Sequence, residues 1–256
     1  MDLSVIIPCF NRENVIRGAV LSVLNQLGSH NIEIIVVDDG STDGSIDRIA
    51  DLDIKILRTN GRTGACNARN LGISSATHEW IAFNDSDDYW RIDKLDKIEK
   101  NIILYNNIDY IFHPFIRTIG LKTKLGGIYQ DDIAIINEKD FLKVILTKNM
   151  ISTQCLIVKK DVLLRCGMFD IELKRFQDWE LALRICIGNK GLYIPELVCI
   201  CIESNDSISK GYRKGILARK YIYKKHYKLY SKNLISLIKF NFSLNLRKIL
   251  FPLKRG

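Results

Sequence analysis

Three carboxylates stand close together in the segment Asn84-Asp85-Ser86-Asp87-Asp88. The segment comes directly after Trp80–Phe83, an apolar run that predicts a buried strand. Carboxylates this close repel one another unless a cation neutralises them, and hard oxygen ligands suit Mg²⁺ or Mn²⁺. Asp85, Asp87 and Asp88 are therefore candidate metal ligands at a strand end. Taken alone, the segment is also typical of a solvated acidic turn that caps the next helix.

Two further polar segments follow predicted strands. They are Pro8-Cys9-Phe10-Asn11 after the first strand and Asp38-Asp39-Gly40-Ser41 after the second. A carboxylate such as Asp39 at a strand end can accept the imide N–H of uracil, and an aromatic ring such as Phe10 can stack on the base. The alternative for Asp39 is a plain turn followed by a helix N-cap.

The segment Asn60–Asn70 (NGRTGACNARN) adds Arg62 and Arg69 to the same predicted edge. A guanidinium group there is suited to a diphosphate, because its planar fork of donors matches phosphate oxygens. Either arginine can instead be an ordinary surface charge.

The elements that must position these residues alternate in type. Strands are predicted over Leu3–Pro8, Ile32–Val37, Ile54–Leu57 and Trp80–Phe83, and helices from Asn11 onward and over Ser41–Leu52, Ala65–Ala76 and Asp93–Tyr105. Strands alternating with helices predict a parallel sheet covered on both faces, with ligands at the carboxyl ends of the strands. From about Asp109 the alternation weakens, which predicts a more mixed second half.

The net charge of +9 is unevenly distributed. Residues 1–206 carry 24 basic and 29 acidic residues, whereas residues 207–256 carry 14 basic residues and no acid. The tail also has an apolar helical stripe, formed by Ile235, Ile238, Phe242, Leu246 and Ile249. Such a helix is typical of a membrane interface, and the alternative is a helix packed on the body with a solvated basic face. A nucleic-acid-binding module is the other function class, but the acidic body and the lack of a recognition motif disfavour it.

Composition excludes several classes of protein. A chain of 256 residues with 47% hydrophobic and 26% charged residues is globular and not disordered. The seven cysteines are scattered without a C-x-x-C pair, which predicts buried reduced thiols and no His/Cys metal site. No G-x-G-x-x-G follows the first strand, which excludes a dinucleotide oxidoreductase of that type. No signal peptide or apolar stretch of spanning length occurs, so we expect a cytosolic protein with at most peripheral membrane contact.

Together, SVIIPCFN, VVDDGSTD, the Asn-Ala-Arg-Asn segment and NDSDDYW resemble, in order and spacing, the family 2 inverting glycosyltransferases with the GT-A fold. Residues 3–95 carry this resemblance, which extends to about residue 206 through the segment FQDWEL at residues 176–181. It implies an α/β fold with a Rossmann-like nucleotide-sugar-binding half (1–108), a mixed central sheet and an acceptor-binding half (109–206). A basic, helical C-terminal tail (207–256) would follow.

The resemblance also implies a role for each candidate residue. The UDP-sugar would contact Pro8, Phe10, Asn11, Asp39, Arg62, Arg69 and Asp85, with Phe10 and Asp39 at the uracil and Asp85 at the ribose. Asp87 would bind Mn²⁺ or Mg²⁺, with Asp85 and Asp88 beside it. Asp178 would be the general base. Glu180 is the rival carboxylate, but Arg184 lies four residues on and should pair with it on the helix surface.

The implied reaction transfers a hexose, glucose or galactose in preference, from a UDP-sugar to an undecaprenyl-diphosphate-linked saccharide, with formation of a β-linkage. Such a step belongs to bacterial O-antigen or capsule synthesis. The enzyme would lie on the inner face of the cytoplasmic membrane, held to anionic lipid by its tail, and would bind no nucleic acid. One departure concerns Glu203, which precedes Ser204-Asn205-Asp206-Ser207 where related transferases often carry a histidine.

Overall fold

The computed structural model describes residues 1–120, 122–127, 130–202, 212–233 and 235–241. Its strands are β1 (Asp2–Cys9), β2 (Asn31–Asp38), β3 (Lys55–Arg58), β4 (Trp80–Phe83), β5 (Tyr89–Trp90), β6 (Tyr110–Phe112), β7 (Phe115–Ile119), β8 (Lys122–Gly126), β9 (Ala134–Ile135), β10 (Leu156–Lys159), β11 (Gly191–Tyr193) and β12 (Cys199–Ile202). Its helices are α1 (Ile16–Leu24), α2 (Ala65–Ser75), α3 (Lys94–Leu104), α4 (Glu138–Ile145), α5 (Lys160–Arg165), α6 (Gln177–Ile185), α7 (Tyr212–Lys225) and α8 (Tyr227–Lys232). The four predicted strands of the first half are all present.

An eight-stranded sheet forms the centre of the fold, in the order β3-β2-β1-β4-β10-β6-β11-β9. β3, β2, β1 and β4 run parallel, whereas β10 runs antiparallel to its neighbours β4 and β6. The sheet is therefore mixed, as predicted for the second half. Because β10 joins β4 to β6, residues 1–108 and 109–206 contribute strands to the same sheet.

A second sheet, β5-β12-β7-β8, is built mainly from the second half of the chain. Its strand β5 follows the acidic segment and pairs antiparallel with β12, with Trp90 opposite Cys199. β12 also runs parallel to β7, which forms a hairpin with β8. This pairing returns the chain near residue 200 to the residues that follow Asp88.

Helices cover both faces of the large sheet, as the near-continuous apolar strands predict. Ile6 of β1 packs in one core cluster with residues of α2 and α6, whereas Val5 and Ile7 pack in a second cluster with residues of α1 and α3. Pairing of β1 with β4 ends at Ile6, so Pro8 lies beyond the end of that neighbour. A residue without an amide N–H is tolerated at such a position.

Two predicted helices are shorter than expected. The helix predicted from Asn11 begins at Ile16, because Asn11 has a left-handed backbone (φ 51°) and bonds to the loop after β2. The helix predicted over Ser41–Leu52 is wrong in extent, since only Asp47–Ile49 forms a short 3₁₀ helix. Asp43 explains part of this, because its carboxylate accepts the Ser45 and Glu13 amides and holds the segment as a turn.

The described part of the basic tail packs on the body. Ile222, Tyr230 and Phe240 are fully buried or nearly so, and Phe240 lies 6.2 Å from Trp179 of α6 between ring centroids. For residues 212–233 and 235–241 the structure thus has the helical packing on the body that the sequence left as an alternative. Glu203, Ser204-Asn205-Asp206-Ser207 and the stripe residues Phe242, Leu246 and Ile249 lie outside the described residues. Over the segments that are described, no helix is both long enough and apolar enough to cross a bilayer.

Candidate active site at the carboxyl edge of the sheet

The acidic segment forms a tight turn after β4. The Asp88 N–H donates to the Asp85 carbonyl at 3.1 Å, and the Asn84 side-chain amide donates to the Asp88 carbonyl at 3.1 Å. Side chains in the turn alternate, with Asp85 and Asp87 half-buried and Ser86 and Asp88 buried. The turn therefore leaves Asp85 and Asp87 accessible at the strand end and places Asp88 in the interior.

Asp88 contacts the second sheet. Its carboxylate accepts the Ile202 N–H at 3.0 Å, and burial raises the pKa of Asp88 well above its usual range, with the charge of Asp85 adding to the effect. One ligand atom each from Asp88, Cys199 and Cys201 lie within 4.8 Å of one another. The scattered cysteines gave no sign of this group in the sequence, because only the pairing of β12 with β5 brings them to Asp88.

A buried lysine beside this group was also missed. Lys94 is fully buried, its Nζ lies 3.9 Å from the centroid of the Trp90 ring, and it donates to the Gln154 carbonyl at 3.2 Å. Burial lowers the pKa of Lys94, while the nearby thiols and Asp88 favour its charged form. Nothing in its spacing distinguishes it from the solvated lysines of α3.

Asp39 organises the loop that leads into α2. Its Oδ1 accepts the Thr63 amide at 2.8 Å and the Thr59 and Thr63 hydroxyls at 2.7 Å each, and its Oδ2 accepts the Gly64 amide at 2.7 Å. Burial alone would raise the pKa of Asp39, but these hydrogen bonds lower it and keep the carboxylate ionised. Gly64 has φ 98°, a backbone conformation that favours glycine. Oδ2 retains room for one more donor, because a carboxylate oxygen can accept two.

Phe10 and Asn11 lie at the same edge but have different partners. The Arg62 guanidinium lies 4.4 Å from the centroid of the half-buried Phe10 ring, so a stacking base must use the other ring face or displace it. The Asn11 Oδ1 accepts the Thr42 N–H at 2.8 Å and thereby joins the loops after β1 and β2. Pro8 of β1 lies opposite Val37 of β2, near the end of the strand that Phe10 follows.

Arg69 and Asp85, both predicted site residues, form an ion pair. Arg69 Nη2 donates to Asp85 Oδ1 at 2.6 Å, and the Arg69 guanidinium also lies 5.4 Å from the centroid of Phe169. Arg69 is only 7% exposed, so it is not an ordinary surface charge. Its buried Nε has no hydrogen-bond partner among the residues that the structure describes. The pair links α2 to the turn that carries Asp87.

Asp178, at the start of α6, belongs to the same edge. Its Oδ2 accepts the side-chain amide of Asn149 at 2.9 Å, a contact that no sequence signal revealed. Burial raises the pKa of Asp178, the hydrogen bond from Asn149 opposes the rise, and the charges of Arg69 and Asp85 also act on it. A carboxylate whose pKa is raised in this way is a stronger base than a solvated one.

Glu180 has a different environment from Asp178. It pairs with Arg184 at 2.6 Å, as predicted. Glu180 is, however, fully buried and not on the helix surface, because Lys225 and His226 also pair with it, at 2.9 Å each. Burial alone would raise the pKa of Glu180, but the hydrogen bonds from His226, Arg184 and Lys225 lower it to about 2. Glu180 is therefore a poor base, and its ion pairs attach α7 to the helix that carries Asp178.

The comparisons with known proteins are consistent with this site. The family described as glycosyl transferase family 2 matches residues 4–155, which is more than half of the chain. One relative, the Escherichia coli protein named UDP-Glc:alpha-D-GlcNAc-diphosphoundecaprenol beta-1,3-glucosyltransferase WfaP, is 38% identical over 125 residues, or 45% of this chain and 49% of that protein. The chain spans about half the length of the curated relatives it matches.

Solved structures share the fold. S. aureus TarS in complex with UDP-GlcNAc has a TM-score of 0.74 at 21% identity, covering 98% of this chain and 73% of that chain. The mannosyltransferase PcManGT from Pyrobaculum calidifontis, in complex with GDP-Man and Mn²⁺, has a TM-score of 0.66 at 16% identity, covering 99% and 76%. These likenesses and the mixed central sheet confirm the predicted GT-A fold. By the match to its family model and by its fold, the chain belongs to glycosyl transferase family 2.

Proposed function

We propose that the protein is an inverting glycosyltransferase that moves a hexose from a UDP-sugar to a lipid-diphosphate-linked saccharide. One observation carries this proposal. Asp178, on the helix of the second half, lies close enough to the first-half pair Arg69–Asp85 for their charges to act on its carboxylate. A base held next to the proposed sugar–diphosphate site is what a single displacement at the anomeric carbon requires.

The donor would bind along the ends of β1, β2 and β4. Asp39 Oδ2 offers its remaining lone pair to the uracil imide, and Phe10 offers a ring face to the base. Arg69 lies at the diphosphate end, where its Nε offers a further donor. The UDP-GlcNAc complex of TarS, which shares the fold, supports a nucleotide-sugar in this place.

The donor set fits a divalent cation. Asp85 and Asp87 are partly exposed carboxylates on one turn, and oxygen donors of this kind suit Mg²⁺ or Mn²⁺. Asp87 with Asp85 would hold the ion, and Asp88 would support the turn through Ile202. When bound, the ion supplies Lewis-acid neutralisation of the diphosphate leaving group. The Mn²⁺ complex of PcManGT is consistent with this assignment.

Asp178 would take the proton of the acceptor hydroxyl at its carboxylate. The Asn149 amide orients that carboxylate through Oδ2, and Oδ1 accepts the Trp179 N–H at 2.8 Å. The deprotonated oxygen attacks the anomeric carbon opposite the departing UDP. One base and one displacement give one inversion, so an α-linked donor yields a β-glycoside.

The acceptor assignment rests on similarity. The relative WfaP is named for transfer of glucose to a GlcNAc-diphosphoundecaprenol. We propose the same acceptor class here, with UDP-glucose or UDP-galactose as donor, in bacterial polysaccharide synthesis. Residues 1–108 would then bind the donor and residues 109–206 the acceptor.

A screen of UDP-sugars tests the proposed function. The full chain is incubated with each donor, Mn²⁺ and a GlcNAc-diphospho-alkyl acceptor, and transfer is followed by mass spectrometry. We expect a hexose to be added from UDP-glucose or UDP-galactose, with release of UDP. Absence of transfer from every UDP-sugar, together with no measurable affinity for UDP, would contradict the proposal.

The tail would hold the enzyme at an anionic membrane. Ile235 and Ile238 are 71% and 60% exposed, on the helical segment whose opposite side buries Ser236 and Phe240. Exposed apolar residues beside lysines suit a lipid interface, and each lysine near an anionic leaflet contributes about 1 kcal/mol.

We therefore expect Ile235→Ser/Ile238→Ser to weaken sedimentation with phosphatidylglycerol vesicles. The matched control Ile103→Ser/Leu104→Ser changes two equally exposed residues of α3 (69% and 68%) and should leave binding intact. Equal binding by wild type and the tail variant would remove the tail from membrane contact.

A further inference from the structure

A cavity of about 460 Å³ opens beside Asp178 and is not used by the donor site described above. It lies between the β7–β8 hairpin and the segment that precedes β10. Its lining includes Phe115, Arg117, Lys124, Leu125, Asn149 and Ser152. Its volume falls in the range typical of small-molecule sites. Because Asn149 both lines the cavity and donates to Asp178 Oδ2, a single side chain separates the cavity from the proposed general base.

The hairpin presents two cations directly opposite each other. Arg117 is the cross-strand partner of Lys124, so both side chains lie on the same face of the hairpin as Phe115. Like charges at opposite positions destabilise a strand pair. Among the described residues no carboxylate forms an ion pair with either cation, and the Arg117 guanidinium lies 5.4 Å from the centroid of the Phe115 ring. This local excess of positive charge is suited to a bound anion.

Close packing shapes the cavity next to these cations. A Cβ added to Gly126 would overlap the Phe115 ring, so the ring packs closely against the backbone of β8. Beyond the cations, Ile119 is an exposed apolar residue toward the turn of the hairpin (39%). Along the cavity the order is thus a polar end at Asn149, a pair of cations and an apolar end at Ile119.

This order matches a saccharide, a diphosphate and a lipid chain. We propose that the cavity is the acceptor site, in which Arg117 and Lys124 bind the diphosphate of the lipid-linked acceptor and the acceptor sugar reaches Asn149 and Asp178. The inference rests on the proposed function, and it assigns the acceptor's diphosphate to two residues outside the sheet edge that would hold the donor.

Lys124→Glu is the sharpest variant, because it replaces a repulsive cross-strand pair with an attractive one. We therefore expect the variant to fold. The diphosphate of the acceptor would lose its contact with one cation and would face a carboxylate instead. The matched control is Lys122→Glu, which makes the same charge change two residues away on the same hairpin. Lys122 does not itself line the cavity, although its cross-strand partner Ile119 does.

The measurement uses two soluble acceptors, a short-chain GlcNAc-diphospho-alkyl and the uncharged alkyl GlcNAc glycoside. We expect Lys124→Glu to raise KM for the diphosphate acceptor at least about tenfold, the effect of one lost charge-assisted hydrogen bond. KM for the uncharged glycoside, the affinity for UDP and all parameters of Lys122→Glu should stay unchanged. Calorimetric binding of the diphosphate acceptor without donor should show the same loss.

Several results would overturn the inference. Equal effects of the two variants would indicate general electrostatic attraction, and an equal effect on both acceptors would remove the diphosphate from the cavity. A loss of UDP affinity would assign the cations to the donor. A loss confined to binding of anionic vesicles would assign them to lipid headgroups. Failure of the proposed function is distinct, since wild type would then transfer to neither acceptor, while the calorimetric comparison would still decide whether the cavity binds a diphosphate.

Discussion

Asp178→Asn is expected to lower the turnover rate by roughly 10²–10⁴-fold, the contribution of a positioned general base. The variant keeps the size of the side chain and its contact with Asn149, but it cannot accept the acceptor's proton. The affinity for UDP should survive, because the nucleotide would be held by residues of the first half of the chain. Steady-state rates and calorimetric UDP binding on the same preparation separate the two effects.

The acid limb of the pH–rate profile gives a second readout. Burial raises the pKa of Asp178, so Asp178 becomes protonated at a higher pH than a solvated aspartate does. As the pH is lowered, wild-type activity should therefore begin to fall at a higher pH than it would with a solvated aspartate as the base. The residual activity of Asp178→Asn should lack this limb. An unchanged limb in the variant would assign the proton transfer to another group.

Glu180→Gln is the control for the neighbouring carboxylate. It should keep the rate per folded molecule but lose stability by about 1.5–3 kcal/mol, because the partly exposed Arg184, Lys225 and His226 lose their charged partner. In wild type, Glu180 contributes to the free energy of unfolding at pH values above the pKa that it has in the unfolded chain. This contribution is lost as the pH falls toward its pKa in the folded protein, which is about 2. If Asp178→Asn turned over normally while folded Glu180→Gln were inactive, Glu180 would be the base.

Chelation is expected to abolish activity, and added Mn²⁺ or Mg²⁺ to restore it. Asp87→Ala should lower the rate by more than about a hundredfold, since a Lewis acid contributes several kcal/mol to neutralising the leaving group. Asp87 is half-buried, and hydrogen bonds of Asp88 and Asn84 hold the turn, so the variant should fold, as thermal unfolding would verify.

Asp53→Ala is the matched control for the metal prediction. Asp53 is an exposed aspartate between the second and third strands, remote in sequence from the acidic turn. The Asp53→Ala variant should retain full activity and the full response of that activity to Mn²⁺. Undiminished wild-type activity in excess EDTA would remove the metal from the reaction.

The sequence predicts the first half of the fold well because its strands are uniformly apolar. β4 was predicted with its observed bounds, and β1, β2 and β3 within two residues of theirs. The side chains that follow these strands meet at one edge, because parallel strands end on the same side of a sheet. Arg69 and Asp85 accordingly pair at 2.6 Å although sixteen positions separate them.

Contacts between distant segments could not be predicted. Asn149 reaches Asp178, and Cys199 and Cys201 reach Asp88, only because β10 and β12 enter the two sheets against strands formed much earlier in the chain. Local periodicity has no information on such pairings. The tail shows the same limit of prediction from sequence. Its positive charge and apolar stripe were compatible with binding to a membrane or with packing on the body, and the burial of Phe240 against Trp179 depends on the finished fold.

The anomeric configuration of the product tests the central claim most directly. A purified product formed from an α-linked UDP-hexose is examined by proton NMR, and the coupling of the new anomeric proton gives its configuration. A single displacement assisted by Asp178 predicts a β-glycoside. An α-glycoside would contradict the proposed reaction, because one inversion at the anomeric carbon cannot retain the donor's configuration.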